Sequence, residues 1–214
     1  MKNIFIKPIV ITTALLTFIT GCVKEDDFAI PTVKPILFTQ NFETVGVGAS
    51  SNIEIPIDLD GFTNVNTTGT RLFAGKSRDY NLYAEFSSFY SASNSVDNVW
   101  LITPSINMDN TQNEVFRLRY KLGKYNGSVA SILVSTDYDG SGTAAAVNNA
   151  TWTNLNVLFP TFDTANFPEK FSSIKPIDFS SYTGNIHVAI RYTGSKSGGP
   201  TSTFQLDDIK IYEN

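Results

Sequence analysis

The chain is expected to fold as an all-β protein, a two-sheet antiparallel β-sandwich, and three observations carry that expectation. Short runs of alternating apolar residues, separated by turn residues, fill the chain from residue 36 onwards. No long stretch keeps the helical spacing of apolar residues. Aromatic residues reach 13% among many Thr, Ser, Asn and Val, the side chains that suit a pleated surface. Hydrophobic and charged fractions of 42% and 17% are those of an ordinary globular chain.

The first element is a leader. Lys2 and Lys7 precede an apolar run from Ile9 to Ile19, which is shorter than the roughly 20 residues of a membrane-spanning helix and reads as a secretory signal. The run ends in Ile19-Thr20-Gly21-Cys22, which resembles the lipobox of bacterial lipoproteins. That resemblance implies a diacylglycerol on Cys22, cleavage before it and often acylation of the new amino group. Several acyl chains, at about 0.8 kcal/mol per buried methylene, hold a protein on a bilayer where one chain alone is marginal. Val23-Lys24-Glu25-Asp26-Asp27 is similar to the short acidic signal that sends Bacteroidetes lipoproteins to the exterior of the outer membrane. A solvated tether accounts for the same charges. Phe28 to Pro35, with Pro31 and Pro35, reads as a linker. The expected layout is therefore a signal peptide over residues 1–21, a lipidated N-terminus and tether over 22–36, and one domain over 37–214.

Within that domain the clearest strand is Val115 to Leu122, where Phe116, Leu118, Tyr120 and Leu122 share one face and Arg117, Arg119 and Lys121 the other. Ile186, Val188, Ile190 and Tyr192 alternate in the same way against His187, Ala189 and Arg191. Ile132 and Val134 precede the turn-rich Asp137-Tyr138-Asp139-Gly140. Leu82 to Phe89, Val99 to Thr103 and Thr203 to Tyr212 complete the better-defined strands.

Charge and cysteine content exclude several classes. The 20 acidic residues outnumber the 16 basic ones for a net charge of −4, and loss of Lys2 and Lys7 with the leader makes the mature domain more acidic still. Such a domain has no electrostatic footprint for nucleic acid. Cys22 is the sole cysteine, so an intramolecular disulfide and a cysteine-ligated zinc are ruled out. No glycine-rich phosphate loop, metalloprotease helix or nucleophile elbow occurs. No residue is assigned a catalytic role.

Val99-Trp100-Leu101-Ile102-Thr103-Pro104, Leu133-Val134-Ser135-Thr136-Asp137, Trp152, Ile177-Asp178-Phe179-Ser180-Ser181-Tyr182 and Phe204-Gln205-Leu206-Asp207-Asp208-Ile209 fall in the order seen in choice-of-anchor J domains. The pattern is also similar to the cleaved-adhesin and MAM-like jelly rolls, and it covers about residues 37 to 214. The resemblance implies a jelly roll of secreted and surface proteins, often an adhesive or carbohydrate-associated module.

Asp207 and Asp208 are adjacent in the last apolar strand, where two ionised carboxylates repel unless they are separated or share a cation. Related jelly rolls often place calcium between the first and last strands. Glu43 with Asp207 or Asp208 is therefore the candidate metal site, with one structural calcium ion as the candidate cofactor; strand alternation and backbone hydrogen bonds are the alternative. Asp137 to Gly142 mimics the start of a calcium loop but lacks the later glutamate, and reads as a hairpin connection. His187 is expected to be hydrogen-bonded or on the surface, and Trp100 to fill the core. Tyr80, Tyr83, Phe89, Tyr90, Tyr125 and Tyr138 lie in or beside polar stretches and are the candidates for stacking on a sugar ring, although aromatics also decorate ordinary β surfaces. Asp163-Thr164-Ala165 resembles the Bacteroidetes O-glycosylation consensus.

The expectation is a non-catalytic binding module on the outer membrane, held by acyl chains on Cys22, with a glycan or a surface or matrix protein as partner. The alternatives are an accessory subunit of an envelope or polysaccharide-uptake complex and, below that, a carbohydrate-active enzyme whose carboxylate pair carries no readable motif.

Overall fold

The computed structural model describes residues 34–50, 53–161 and 166–214. The signal peptide, Cys22, the tether as far as Val33 and the Asp163-Thr164-Ala165 match lie outside the described residues. Lys34–Asn214 forms one compact unit. Its strands are β1 (Ile36–Gln40), β2 (Ile55–Pro56), β3 (Thr63–Thr68), β4 (Ala74–Arg78), β5 (Asn81–Phe86), β6 (Val96–Ile102), β7 (Ile106–Asn107), β8 (Glu114–Gly123), β9 (Ala130–Ser135), β10 (Thr153–Asn154), β11 (Ser172–Ser173), β12 (Ile177–Asp178), β13 (Asn185–Ser195) and β14 (Thr203–Glu213). One short helix, α1 (Ala144–Asn149), lies between β9 and β10.

The strands form two antiparallel sheets, the β-sandwich expected from the sequence. The larger runs β11-β8-β14-β5-β4-β2, with β1 added to β14 and β12 to β8; the smaller runs β10-β9-β13-β6-β3, with β7 paired to β13. Phe116, Leu118, Tyr120 and Leu122 of β8 and Phe204 and Leu206 of β14 meet Val99 and Leu101 of β6, Ile132 and Val134 of β9, and Val188 and Ile190 of β13 in the main core. Alternation assigns these side chains inward and sends their neighbours to the outer face of each sheet. Fully burying one such side chain contributes about 1.5–3 kcal/mol, so the inward rows dominate stability.

The last strand departs from strict alternation. The pairing of β14 with β8 slips between Asp207 and Lys210, and Asp208 takes a φ of 45°, the left-handed conformation that aspartate tolerates better than most residues. This bulge inserts an extra residue, which is how two aspartates stand side by side in an otherwise alternating strand.

One local feature differs from the sequence reading, and a second adds detail to it. The turn-rich stretch after β9 does return antiparallel as β10, but through α1 rather than a tight hairpin. Thr143 caps the helix by accepting the Ala146 N–H, and the Ala150 N–H bonds to Ala146 to end it. A helix of six residues is too short to show a helical period, so the pattern could not announce it. Trp100 is buried, but in a second apolar cluster with Ile102, Leu133, Tyr138, Val147 and Ala189 and not in the main core. The reason is register: Leu101 points to the main core, so Trp100 and Ile102 must point away from it.

Candidate functional site

The outer face of the larger sheet is polar, and much of it is buried. In β14, Gln205 and Asp207 alternate with the core residues Phe204 and Leu206, and they lie opposite Lys121 and Arg119 of β8. Gln205 is also opposite Glu85 of β5, while Tyr83 of β5 is opposite Lys76 of β4. Two cross-strand rows of hydrogen-bonding groups result. Lys121, Gln205, Tyr83 and Asp207 are each 9% exposed or less, a degree of burial that charged and amide side chains accept only with partners.

The partners are on hand. Gln205 Nε2 donates to Glu85 Oε2 at 2.8 Å and to the Tyr83 hydroxyl at 3.3 Å. Asn81 Nδ2 donates to Asp207 Oδ2 at 3.2 Å, and the Asp208 N–H donates to Asp207 Oδ1 at 2.8 Å. Arg119 Nη1 donates to Asp208 Oδ2 at 2.8 Å. Phe171, just before β11, covers part of this face: its ring lies 4.7 Å from Lys121 Nζ, 5.6 Å from the Arg119 guanidinium and 5.6 Å from the Tyr83 ring.

Burial sets the electrostatics. Desolvation raises the Glu85 carboxyl above its usual range against the lowering effect of Gln205 and Lys76, and it raises Asp207 against the Asn81 hydrogen bond. The Tyr83 phenol is pushed up to about 12 by burial and then by the Glu85 charge. Burial, followed by the nearby Arg78 charge, lowers Lys121. Each shift has the sign that removal from water imposes on the charged form.

Towards β4 this face opens into a groove of about 350 Å³, within the size of small-molecule sites. Lys76, Ser77, Tyr83 and Glu85 line its floor, Tyr90 one side, and Val47, Gly48, Ser50 and Ile53 the other. The groove walls are tied together by Arg71. It pairs with Glu54, beside Ile53, through two nitrogens, and it donates to the Ser87 carbonyl at 2.6 Å and the Ser91 hydroxyl at 3.2 Å. The same guanidinium lies 5.7 Å from the Tyr90 ring centre. Gly75 lets the chain at Val45 and Gly46 approach β4, since a Cβ there would lie 2.1 Å from the Gly46 carbonyl oxygen.

The sequence candidates separate on this frame. Phe89 and Tyr90 are 60% and 64% exposed and meet edge to face at 5.2 Å on a 3-10 turn capped by Ser87. Tyr80 is fully exposed at the β4–β5 turn, where it holds a φ of 65°. Tyr83 lies in the groove floor. Tyr125 is half-buried against the main core. Tyr138 is buried under α1, its hydroxyl paired with Thr63 Oγ1 and the Gly142 N–H, both at 3.1 Å. Only Tyr83 and Tyr90 of the six line the groove.

The metal candidates are not drawn into one cluster. Glu43 is exposed after β1, Asp207 is held by Asn81 and the Asp208 N–H, and Asp208 by Arg119. Among the described residues no three His, Cys, Asp or Glu side chains come together as a metal-ligating group. The bulge separates the roles of the two aspartates and supplies each with a donor. His187 is buried, its Nδ1 2.9 Å from the Thr103 carbonyl oxygen and its ring edge-on to Tyr138.

Sequence reasoning missed Lys76, Glu85, Gln205, Phe171 and Arg71. For Glu85 a signal existed, because Asn81, Tyr83 and Glu85 alternate with Leu82, Ala84 and Phe86 and so share the outer face. For Phe171 and Arg71, which reach the face from distant loops, no local pattern existed.

No protein-family model matches the chain, and no curated protein matches it in sequence. Solved structures similar to it include the K1 cleaved adhesin domain of Lys-gingipain from Porphyromonas gingivalis W83, at 15% identity and a TM-score of 0.48, covering 83% of this chain and 98% of that one. The K3 cleaved adhesin domain of the same protein has 14% identity and a TM-score of 0.46, covering 84% and 100%. TmCBM61 in complex with β-1,4-galactotriose has 12% identity and a TM-score of 0.39, covering 72% and 90%.

Proposed function

We propose that the chain is an outer-membrane lipoprotein, anchored through Cys22 and facing the cell exterior, whose choice-of-anchor J-like β-sandwich is a non-catalytic module for a glycan or a matrix protein. The observation that carries the binding reading is the preformed groove on the larger sheet, with an exposed aromatic on one side and a floor of partly desolvated polar groups. A sandwich that only needed to fold would leave such a face to water or cover it with apolar side chains, because buried polar groups gain little stability over well-packed apolar ones. The anchor reading rests on the lipobox resemblance.

Two experiments test the two halves. The full-length chain, purified in a detergent without a sugar headgroup, is expected to bind at least one member of a glycan array or a panel of matrix proteins; clean negatives on both remove the binding reading. Cys22→Ser is expected to yield a precursor that is neither lipidated nor cleaved at this site. Mass spectrometry finding the same processed N-terminus in that variant overturns the anchor.

A further inference from the structure

We infer that the groove between Tyr90 and the β4–β5 floor is a binding site for a neutral oligosaccharide, with Tyr90 as the stacking surface and Glu85 and Lys76 as the groups that take and give hydrogen bonds to its hydroxyls. The inference rests on the binding-module reading above and narrows it to one site and one ligand class.

Three features of the groove lead to this chemistry. The first is a flat apolar surface beside polar groups. Tyr90 is 64% exposed, yet its position is set by the 3-10 turn, by Phe89 at 5.2 Å and by the Arg71 guanidinium at 5.7 Å. A ring held in place can receive the C–H face of a sugar without first being ordered, which lowers the entropic cost of binding. The second is an acceptor awaiting donors. Gln205 donates to Glu85 Oε2 and thereby fixes the carboxylate plane, while Oε1 accepts no hydrogen bond from a described residue. A ligand rich in hydroxyl groups supplies such donors, and a hydrogen bond to a charged group is stronger than one between neutral partners.

The third is charge balance. Glu85 and Lys76 share the floor, and Arg71 is neutralised by Glu54 at the wall. The face offers no excess of cations for a sulfated or sialylated chain, and the acidic net charge of the protein opposes one. A neutral, polyhydroxylated ligand matches both the donors and the sign. Another groove of similar size, lined by Val96, Thr193, Gly194 and Pro200 among others, holds no ionisable side chain and no aromatic ring, so it offers neither a charge-assisted hydrogen bond nor a stacking surface.

The test is a titration of the full-length chain, in the same sugar-free detergent, with neutral trioses of glucose, galactose, mannose and xylose, followed by sialylated and sulfated counterparts. A neutral triose is expected to bind, and Tyr90→Ala, which removes the stacking surface, and Glu85→Gln, which removes a charge-assisted hydrogen bond, are each expected to weaken it about tenfold. Tyr80→Ala, which changes a fully exposed tyrosine outside the groove, is expected to leave affinity unchanged. Tyr90→Ala removes an exposed ring and Glu85→Gln keeps the planar shape, and a single cooperative thermal melt verifies that both variants fold. Binding of a neutral triose that survives both substitutions overturns this site and leaves the module reading standing. Binding only of anionic glycans, or only of a matrix protein, overturns the ligand class with the same consequence. Absence of any glycan or protein binding overturns the module reading and this inference together.

Discussion

The smaller sheet turns Trp100, Leu133 and Ala189 away from the main core and roofs them with Tyr138, Val147 and Trp152, whereas the larger sheet turns Lys121, Gln205, Tyr83 and Asp207 outward and covers them only in part. On the first face, Trp152 lies 5.2 Å from Trp100 and 5.5 Å from Tyr138, and its Nε1 donates to the Val147 carbonyl at 3.0 Å. It behaves as a small second core. On the second face, hydrogen bonds replace apolar contacts and a groove remains open. The two outer faces of one sandwich thus differ in kind, the apolar one closed as a second core and the polar one hydrogen-bonded with a groove left open.

Four measurements sharpen or break that contrast. The largest effect is expected on the apolar face: Trp100→Ala should lower unfolding free energy by about 3–5 kcal/mol through lost burial and a cavity, measured by denaturant unfolding. A loss under about 1 kcal/mol, the ordinary effect of a surface change, would mean that the roof contributes no core. On the polar face, Lys121→Met keeps the apolar stem beside Phe171 while removing a partly desolvated ammonium, so stability should change by less than about 1.5 kcal/mol. A larger loss would make the charge a structural necessity of that face.

The third measurement uses pH. Glu85 and Asp207 are raised in the folded state, so between their unfolded values, near about 4.3 and 3.9, and their higher folded values the native state holds more protons than the unfolded chain. Stability from these groups therefore increases as pH falls through the folded values and is lost as pH rises through them. Asp137, Asp139 and Asp178 are lowered by hydrogen bonds to Ser135, Ser141 and Ser180 respectively and act in the opposite sense at lower pH. Comparison of Glu85→Gln with the parent cancels them: the variant should be more stable near neutral pH, by an amount that shrinks on acidification. An advantage that grows on acidification would contradict the desolvation account.

The smallest effect is expected from calcium. The donors on Asp207 and Asp208 lead to the expectation of identical melting curves in calcium and in chelator. An ion shared by Glu43 with either aspartate would instead raise the midpoint by roughly 5–11 °C at a hundredfold excess over Kd, and a shift of that size would support the proposed calcium site.

Much of the sandwich could be read from alternation alone, since Phe116 to Leu122 and Ile186 to Tyr192 each have one side that can be buried without cost. The continuous apolar run Val99 to Ile102 also carried its message, because a strand with no polar side is one covered on both faces. Which cover each side would receive was not legible. Trp100 could be placed in a core but not in one of two, and α1, whose six residues complete no sequence period, left no pattern to read.

The candidate site was less legible than the fold. Tyr83 and Tyr90 could be named, but Tyr80, Phe89, Tyr125 and Tyr138 looked equivalent to them, since an aromatic in a polar stretch has the same local sequence whether a distant loop covers it or not.

The sequence by itself determined the all-β class and the inward rows of both sheets, because side-chain periodicity is a local property enforced by burial. Tertiary structure alone decided that Glu85 meets Gln205, that Arg71 ties Glu54 to the Tyr90 turn, and that the bulge at Asp208 gives adjacent aspartates different partners. Those outcomes depend on register and on loops brought together from far apart in the chain, and no periodicity encodes which strand will lie beside which.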